Sequence, residues 1–68
     1  MNARLQAARK ALSKTQKQIA EEVGITEYTY QLYEYGKRDP ATRTSIRIAK
    51  ALNRAVEELF GEDDGTHD

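Results

Sequence analysis

Several residue types and patterns are missing from this sequence, and each absence narrows what the protein can be. Cysteine does not occur, which excludes disulfides, zinc–thiolate sites and thiol nucleophiles and favours an intracellular, cytoplasmic protein. No stretch approaches the roughly 20 apolar residues that span a bilayer. The first ten residues also lack the apolar core of a signal peptide, so no targeting segment and no membrane partner are expected.

Groups that catalysis requires are equally scarce. The single histidine, His67, stands near Asp63, Asp64 and Asp68. Weak metal binding there is one interpretation, but a metal site needs fixed geometry, so a solvated chain end explains the cluster more simply. Without a nucleophile and base, a metal cluster or a phosphate-binding loop, the sequence predicts no enzyme, no metal, no cofactor and no small-molecule ligand.

The 68 residues are enough for one small domain. We expect a folded domain at 1–60 and an acidic flexible tail at 61–68, because GEDDGTHD has the composition of a frayed chain end. All eleven lysines and arginines precede residue 57, whereas the last twelve residues contain six acids and no base. The zero net charge therefore hides a basic body, as expected of a protein that binds phosphates.

Helical spacing dominates the first half of the chain. Leu5, Ala8 and Leu12 recur at this spacing after Asn2, a plausible N-cap, and predict the first helix. The segment from Thr15 to Gly36 follows. Its T-x-x-Q pattern at Thr15 is a capping box that opens a second helix.

The second helix is predicted to bury Ile19, Ala20 and Val23 and to end at Gly24. Thr26 would cap a third helix.

A helical-wheel projection of the third helix separates two faces. Tyr30 and Tyr33 share the face predicted to enter the core. The opposite face groups exposed apolar and amide side chains, which favours contact with a partner. That face comprises Tyr28, Gln31, Leu32 and Tyr35.

After the basic loop that contains Pro40, a fourth helix is predicted with Ile46 and Ala49 inward, joined by Ile48 and Leu52. Asn53 suits the left-handed conformation in which many helices end. The fifth, short helix contributes Val56, Leu59 and Phe60. The whole pattern is all-α, with five helices and no strands.

These helices carry residues that match a known family over most of the chain. The matching positions are Arg9, Thr15, Gln16, Ile19, Ala20, Gly24, Ile25, Thr26, Glu34, Gly36, Lys37, Pro40, 48–52 and 58–60. From Leu5 to Phe60 the sequence resembles the helix-turn-helix family of Cro and repressor proteins. The resemblance implies a five-helix, lambda-repressor-like DNA-binding domain and a sequence-specific transcriptional regulator, expected to be a repressor.

The resemblance also assigns roles to individual positions. DNA base contacts are implied for Glu27, Tyr28, Gln31 and Leu32. Phosphate contacts are implied for Gln16, Lys17, Thr26, Thr29, Lys37, Arg38 and Arg43. Arg9 and Glu34 are implied to form a structural salt bridge. Glu27 has a second interpretation, because an acid in a first helical turn is favoured by the helix dipole without any ligand.

The implied partner is double-stranded DNA, with a palindromic operator bound by a homodimer whose assembly can depend on DNA. Val56, Leu59 and Phe60 are the candidate dimer interface, although all three could instead close the core. A second function remains open. The outward face of the third helix would equally suit a protein–protein interaction module of antitoxin or bridging-factor type.

Overall fold

The computed structural model describes residues 1–61. The predicted acidic cluster around His67 and most of the predicted tail lie outside them. Within the described residues there are five helices and no strand, which confirms the all-α prediction. The helices are α1 (Ala3–Ala11), α2 (Gln16–Val23), α3 (Glu27–Glu34), α4 (Thr42–Leu52) and α5 (Val56–Phe60).

The capping signals of the sequence are present in the structure. The Thr15 hydroxyl accepts from the Gln18 amide at 3.0 Å, and the Gln18 side chain accepts from the Thr15 amide at 2.7 Å. The Thr26 hydroxyl likewise accepts from the Thr29 amide at 3.1 Å. These bonds satisfy amides that a helix start otherwise leaves unpaired, and they fix where α2 and α3 begin.

Two glycines set the path of the chain on either side of α3. Gly24 ends α2 with a φ of +87°. Glycine suits this position because residues with a β-carbon are strained in the left-handed conformation. Gly36, after α3, has a φ of +75°, and a β-carbon there would lie 2.9 Å from the Met1 nitrogen. The start of the chain therefore packs closely against the end of α3.

Asn2 joins three helices at that end of the molecule. Its side-chain oxygen accepts from the Leu5 amide at 3.0 Å and caps α1. Its side-chain nitrogen donates to the carbonyl of Leu59 in α5 at 2.8 Å, and its backbone amide donates to the carbonyl of Glu34 at 2.8 Å. One residue thus fixes the positions of α3 and α5 relative to α1.

The core lies between the five helices, with α2 packed on α3 and α4, and α1 packed on α3 and α5. Tyr30 and Tyr33 are buried, as the projection of α3 predicted. Glu34 and Ser45 are the polar residues buried with them. The apolar core comprises Leu5, Ala8, Ile19, Ala20, Val23, Tyr30, Tyr33, Ile48, Ala49, Leu52 and Leu59.

One prediction for α4 is wrong. Ile46 is 42% exposed, whereas Ile48, Ala49 and Leu52 are buried as expected. The inward position that starts this face is held by Ser45, whose hydroxyl donates to the carbonyl of Thr42 at 2.7 Å. A hydroxyl satisfied within its own helix can be buried at little cost, so the buried face follows 45, 48, 49 and 52 and turns Ile46 outward.

None of the helices in residues 1–61 is both long and apolar enough to cross a membrane.

The start of α4 predicts a stabilising substitution. Ala41 occupies the N-cap with φ −62° and ψ 160°, but it makes no side-chain bond to the helix. Ala41→Ser supplies the missing acceptor, and we expect the free energy of unfolding to rise by about 1 kcal/mol. In thermal unfolding this corresponds to an increase of about 4–8 °C in Tm for a domain of this size.

The matched control for this substitution is Ala11→Ser. Ala11 is exposed at the last position of α1, where a hydroxyl meets no free helix-start amide. An equal increase in Tm for the control would contradict capping as the cause.

Candidate nucleic-acid interface

The outward face of α3 carries exposed aromatic side chains. Tyr28 is 69% exposed and Tyr35, just beyond the last turn, is 43% exposed. Gln31 and Leu32 are half-buried beside them, and Glu27 is exposed at the first position. The opposite face of α3 lies in the core, so these five residues form the outer surface that we call the α3 face.

Exposed bases come before and after this face along the chain. Lys37 and Arg38 lie in the loop that follows α3, and Arg43 is the second residue of α4. Lys17, the second residue of α2, is also exposed. The α3 face itself contains one acid and no base, so the positive charge of the domain lies outside this face.

The two threonines that were assigned to phosphate contacts have a structural role in the protein. The Thr26 hydroxyl caps α3, as described above, and also donates to the Thr29 hydroxyl at 2.9 Å. Thr26 remains exposed and Thr29 is half-buried. Both lie at the N-terminus of α3, where backbone amides and the helix dipole favour an anion.

Arg9 and Glu34 form the predicted ion pair. The Arg9 Nε donates to Glu34 Oε2 at 2.6 Å, and its Nη2 donates to Oε1 at 3.2 Å. The Glu34 side chain is fully buried and the Arg9 side chain is 11% exposed. Arg9 Nη1 also donates to the carbonyl of Lys14 at 2.9 Å, so the pair connects α1, the loop before α2 and the end of α3.

Gln16 is not free at the surface. Its Nε2 donates to Glu34 Oε1 at 3.0 Å, and its Oε1 accepts from Gln31 Nε2 at 3.1 Å. This side chain therefore connects the buried ion pair to the α3 face. The sequence placed Gln16 and Gln31 in separate roles and contained no signal for their bond, since the bond depends on the angle between two helices.

The pKa values of this cluster keep both charges in place. Burial alone would raise the pKa of Glu34, but hydrogen bonds from Arg9 and then from Gln16 hold it below its usual range. The hydrogen bond to Glu34 raises the pKa of Arg9. The pKa of the buried Tyr30 phenol is raised, first by burial and second by the neighbouring Glu34 carboxylate.

A short helix, a left-handed glycine turn and a second helix with an exposed face between basic flanks define a helix-turn-helix domain of the Cro and repressor type. A helix-turn-helix family model matches residues 5–59, and the chain belongs to this family of transcriptional regulators. No solved structure gave a significant match.

Three relatives illustrate the family. The cryptic phage CTXphi transcriptional repressor RstR of Vibrio cholerae is 43% identical over 58 residues, which are 85% of this chain and 52% of that protein. An HTH-type transcriptional regulator of Archaeoglobus fulgidus is 34% identical over 94% of this chain and 91% of its own length. The HTH-type transcriptional regulator ImmR of Bacillus subtilis is 34% identical over 90% of this chain and 48% of its own length. The chain thus spans about half the length of two of these relatives.

Removal of Arg9 should destabilise the fold strongly. Arg9→Ala leaves the buried Glu34 carboxylate without its charged partner, and we expect a loss of about 3–5 kcal/mol in the free energy of unfolding. The control is Lys10→Ala, because Lys10 is exposed and substitution there should change stability by about 0.5 kcal/mol or less. Equal melting temperatures for the two variants would exclude a structural role for the pair.

The lowered pKa of Glu34 also predicts a pH dependence. A pKa that is lower in the folded chain means that the unfolded chain takes up the proton first as the pH falls. The stabilising contribution of Glu34 is therefore complete above about pH 4.5 and is lost as the pH falls through the folded pKa.

Urea unfolding at a series of pH values measures this effect against Glu34→Gln, which cannot titrate at this position. The wild type should lose stability more steeply below pH 4.5, by up to about 1.4 kcal/mol per pH unit for one proton. Parallel pH profiles would show that Glu34 has the same pKa in both states.

Proposed function

We propose that the protein is a sequence-specific double-stranded-DNA-binding repressor that places α3 in the major groove. The observation that carries this proposal is the α3 face, on which Tyr28 and Tyr35 are exposed and which exposed bases precede and follow along the chain. The major groove is wide enough to admit a helix, and base edges there present distinct hydrogen-bond patterns. The relative from Vibrio cholerae is named a transcriptional repressor, which supports repression as the outcome.

The α3 face supplies groups that suit base edges. Tyr28 and Leu32 offer apolar surface for thymine methyl groups, and the Gln31 amide matches the donor and acceptor of adenine. Glu27 can accept a hydrogen bond from cytosine N4, which is among the few base-edge groups that a carboxylate can bind. Sequence preference would come from these four side chains.

The flanking bases supply affinity rather than sequence preference. Lys37, Arg38 and Arg43 are exposed and follow α3 in the chain, and the exposed Lys17 precedes it in α2. Phosphates on the two DNA strands would be neutralised by these side chains, which also set the position of α3 along the groove. Gln16, Thr26 and Thr29 would add uncharged phosphate contacts at the starts of α2 and α3.

A palindromic operator bound by a homodimer completes the proposal, since a two-fold dimer places its two α3 helices about 34 Å apart, one DNA turn. Leu59 is only 1% exposed in the single chain, so it closes the core rather than reaching a partner. Val56 and Phe60 remain half-buried and are the members of the predicted interface that a second copy could cover.

Selection from a random duplex pool tests the function directly, because it yields the bound sequence, its symmetry and the half-site spacing together. We expect Tyr28→Ala to weaken binding and to relax base preference at the position that Tyr28 contacts, by up to the roughly 1–3 kcal/mol that a mismatched base pair costs. Arg43→Ala, the comparison variant, should weaken binding to all duplexes alike and reduce the slope of log K against log salt by about 1.

Two results would argue against the proposal. Unchanged affinity and base preference in Tyr28→Ala would argue against the placement of α3 in the major groove. Binding that responds little to salt, with no duplex selected, would favour a protein partner on the α3 face instead.

A further inference from the structure

Four side chains form a continuous chain of hydrogen bonds from α1 to the α3 face. Arg9 donates twice to Glu34, at 2.6 and 3.2 Å, and Gln16 donates to the same carboxylate at 3.0 Å. Gln31 in turn donates to Gln16 at 3.1 Å. In each of these bonds the donor lies farther from Glu34 along the chain of hydrogen bonds than the acceptor does.

The chemistry of the groups enforces this direction. An ionised carboxylate only accepts hydrogen bonds, and a guanidinium only donates. Gln16 must therefore turn its NH₂ toward Glu34, which leaves its carbonyl oxygen facing Gln31. That oxygen can be satisfied only by a donor, so Gln31 must turn its own NH₂ inward. A glutamine amide without such partners can rotate by 180° and exchange its donor and acceptor.

The fixed orientation limits what Gln31 can offer to DNA. One of its two N–H groups is bonded to Gln16, so one N–H and the carbonyl oxygen remain. Adenine presents a donor at N6 and an acceptor at N7 in the major groove, and these two groups match what remains. Guanine presents acceptors at both O6 and N7, so one of them would face the carbonyl oxygen of Gln31.

We infer that Gln16 is a specificity-determining positioning residue, which makes the site select adenine over guanine at the base pair contacted by Gln31. The inference rests on the proposed function, since it requires α3 in the major groove. It differs from a phosphate contact by Gln16, because a phosphate contact affects all sequences alike.

The test compares Gln16→Met with the wild type on duplexes obtained by random-pool selection. Methionine has a similar length but offers no comparable acceptor to Gln31. The relevant base pair is identified first, as the position at which Gln31→Ala loses its base preference. Dissociation constants are then measured at fixed salt for duplexes carrying adenine or guanine at that position.

We expect the wild type to prefer adenine by at least about fivefold and Gln16→Met to reduce the ratio to within about twofold of unity. Preferences at the other base pairs should be unchanged. In the background of Gln31→Ala, Gln16→Met should cause no further change in base preference. Circular dichroism establishes that each variant is folded at the assay temperature, and Gln16→Ala replaces Gln16→Met if the latter is unfolded.

The matched control is Lys17→Met, the next residue of α2, which is exposed and assigned to phosphate contact. It should weaken binding to both duplexes alike and retain the preference for adenine. If Gln16→Met behaves in the same way, Gln16 does not position Gln31 and the inference is overturned while the proposed function stands. If the wild type itself shows no base preference on any duplex, the proposed function fails as well.

Discussion

The buried carboxylate of Glu34 is the constraint on which the arrangement of the helices depends. Its side chain is fully buried, and a buried charge is tolerated only when strong donors replace the lost water. Those donors are Arg9 from α1 and Gln16 from α2. Because the carboxylate lies at the end of α3, satisfying it requires three helices to meet at fixed positions. The helix proposed to enter DNA is thereby oriented by an electrostatic requirement as well as by apolar packing.

Apolar packing alone would position α3 less securely in so small a chain. The core includes three alanines among its eleven apolar residues, and small domains bury a smaller fraction of their surface than large ones. Directional bonds at the C-terminal end of α3 compensate for this. The carbonyl of Glu34 accepts from the Asn2 amide, and its carboxylate accepts from Arg9 and Gln16. A rotation of α3 about its axis would break these bonds.

The predictions that succeeded from sequence used signals carried by neighbouring residues. Capping at Thr15 and the left-handed turn at Gly24 depend on residues within one helix or turn, and the burial of Tyr30 follows from helical periodicity. The prediction that Ile46 points inward was wrong, because the polar residue Ser45 occupies the buried position and interrupts the apolar periodicity. The ion pair of Arg9 and Glu34 came from resemblance to a family, not from spacing. The bond between Gln16 and Gln31 had no signal in sequence, because it joins the first turn of α2 to the middle of α3 and depends on how the helices cross.

The basic residues lie outside the α3 face, so affinity and base preference would be set by different side chains. In the proposed complex with DNA, phosphate binding would depend on exposed bases in the loop and in α2 and α4, whereas base preference would depend on side chains that are uncharged apart from Glu27. Substitutions in the flanks can therefore alter affinity without altering the preferred sequence, because phosphates are the same in every duplex. A substitution of Gln31 would not be confined to base preference in this way. Its amide is bonded through Gln16 to the buried carboxylate of Glu34, so such a substitution would also disturb a network that stabilises the domain.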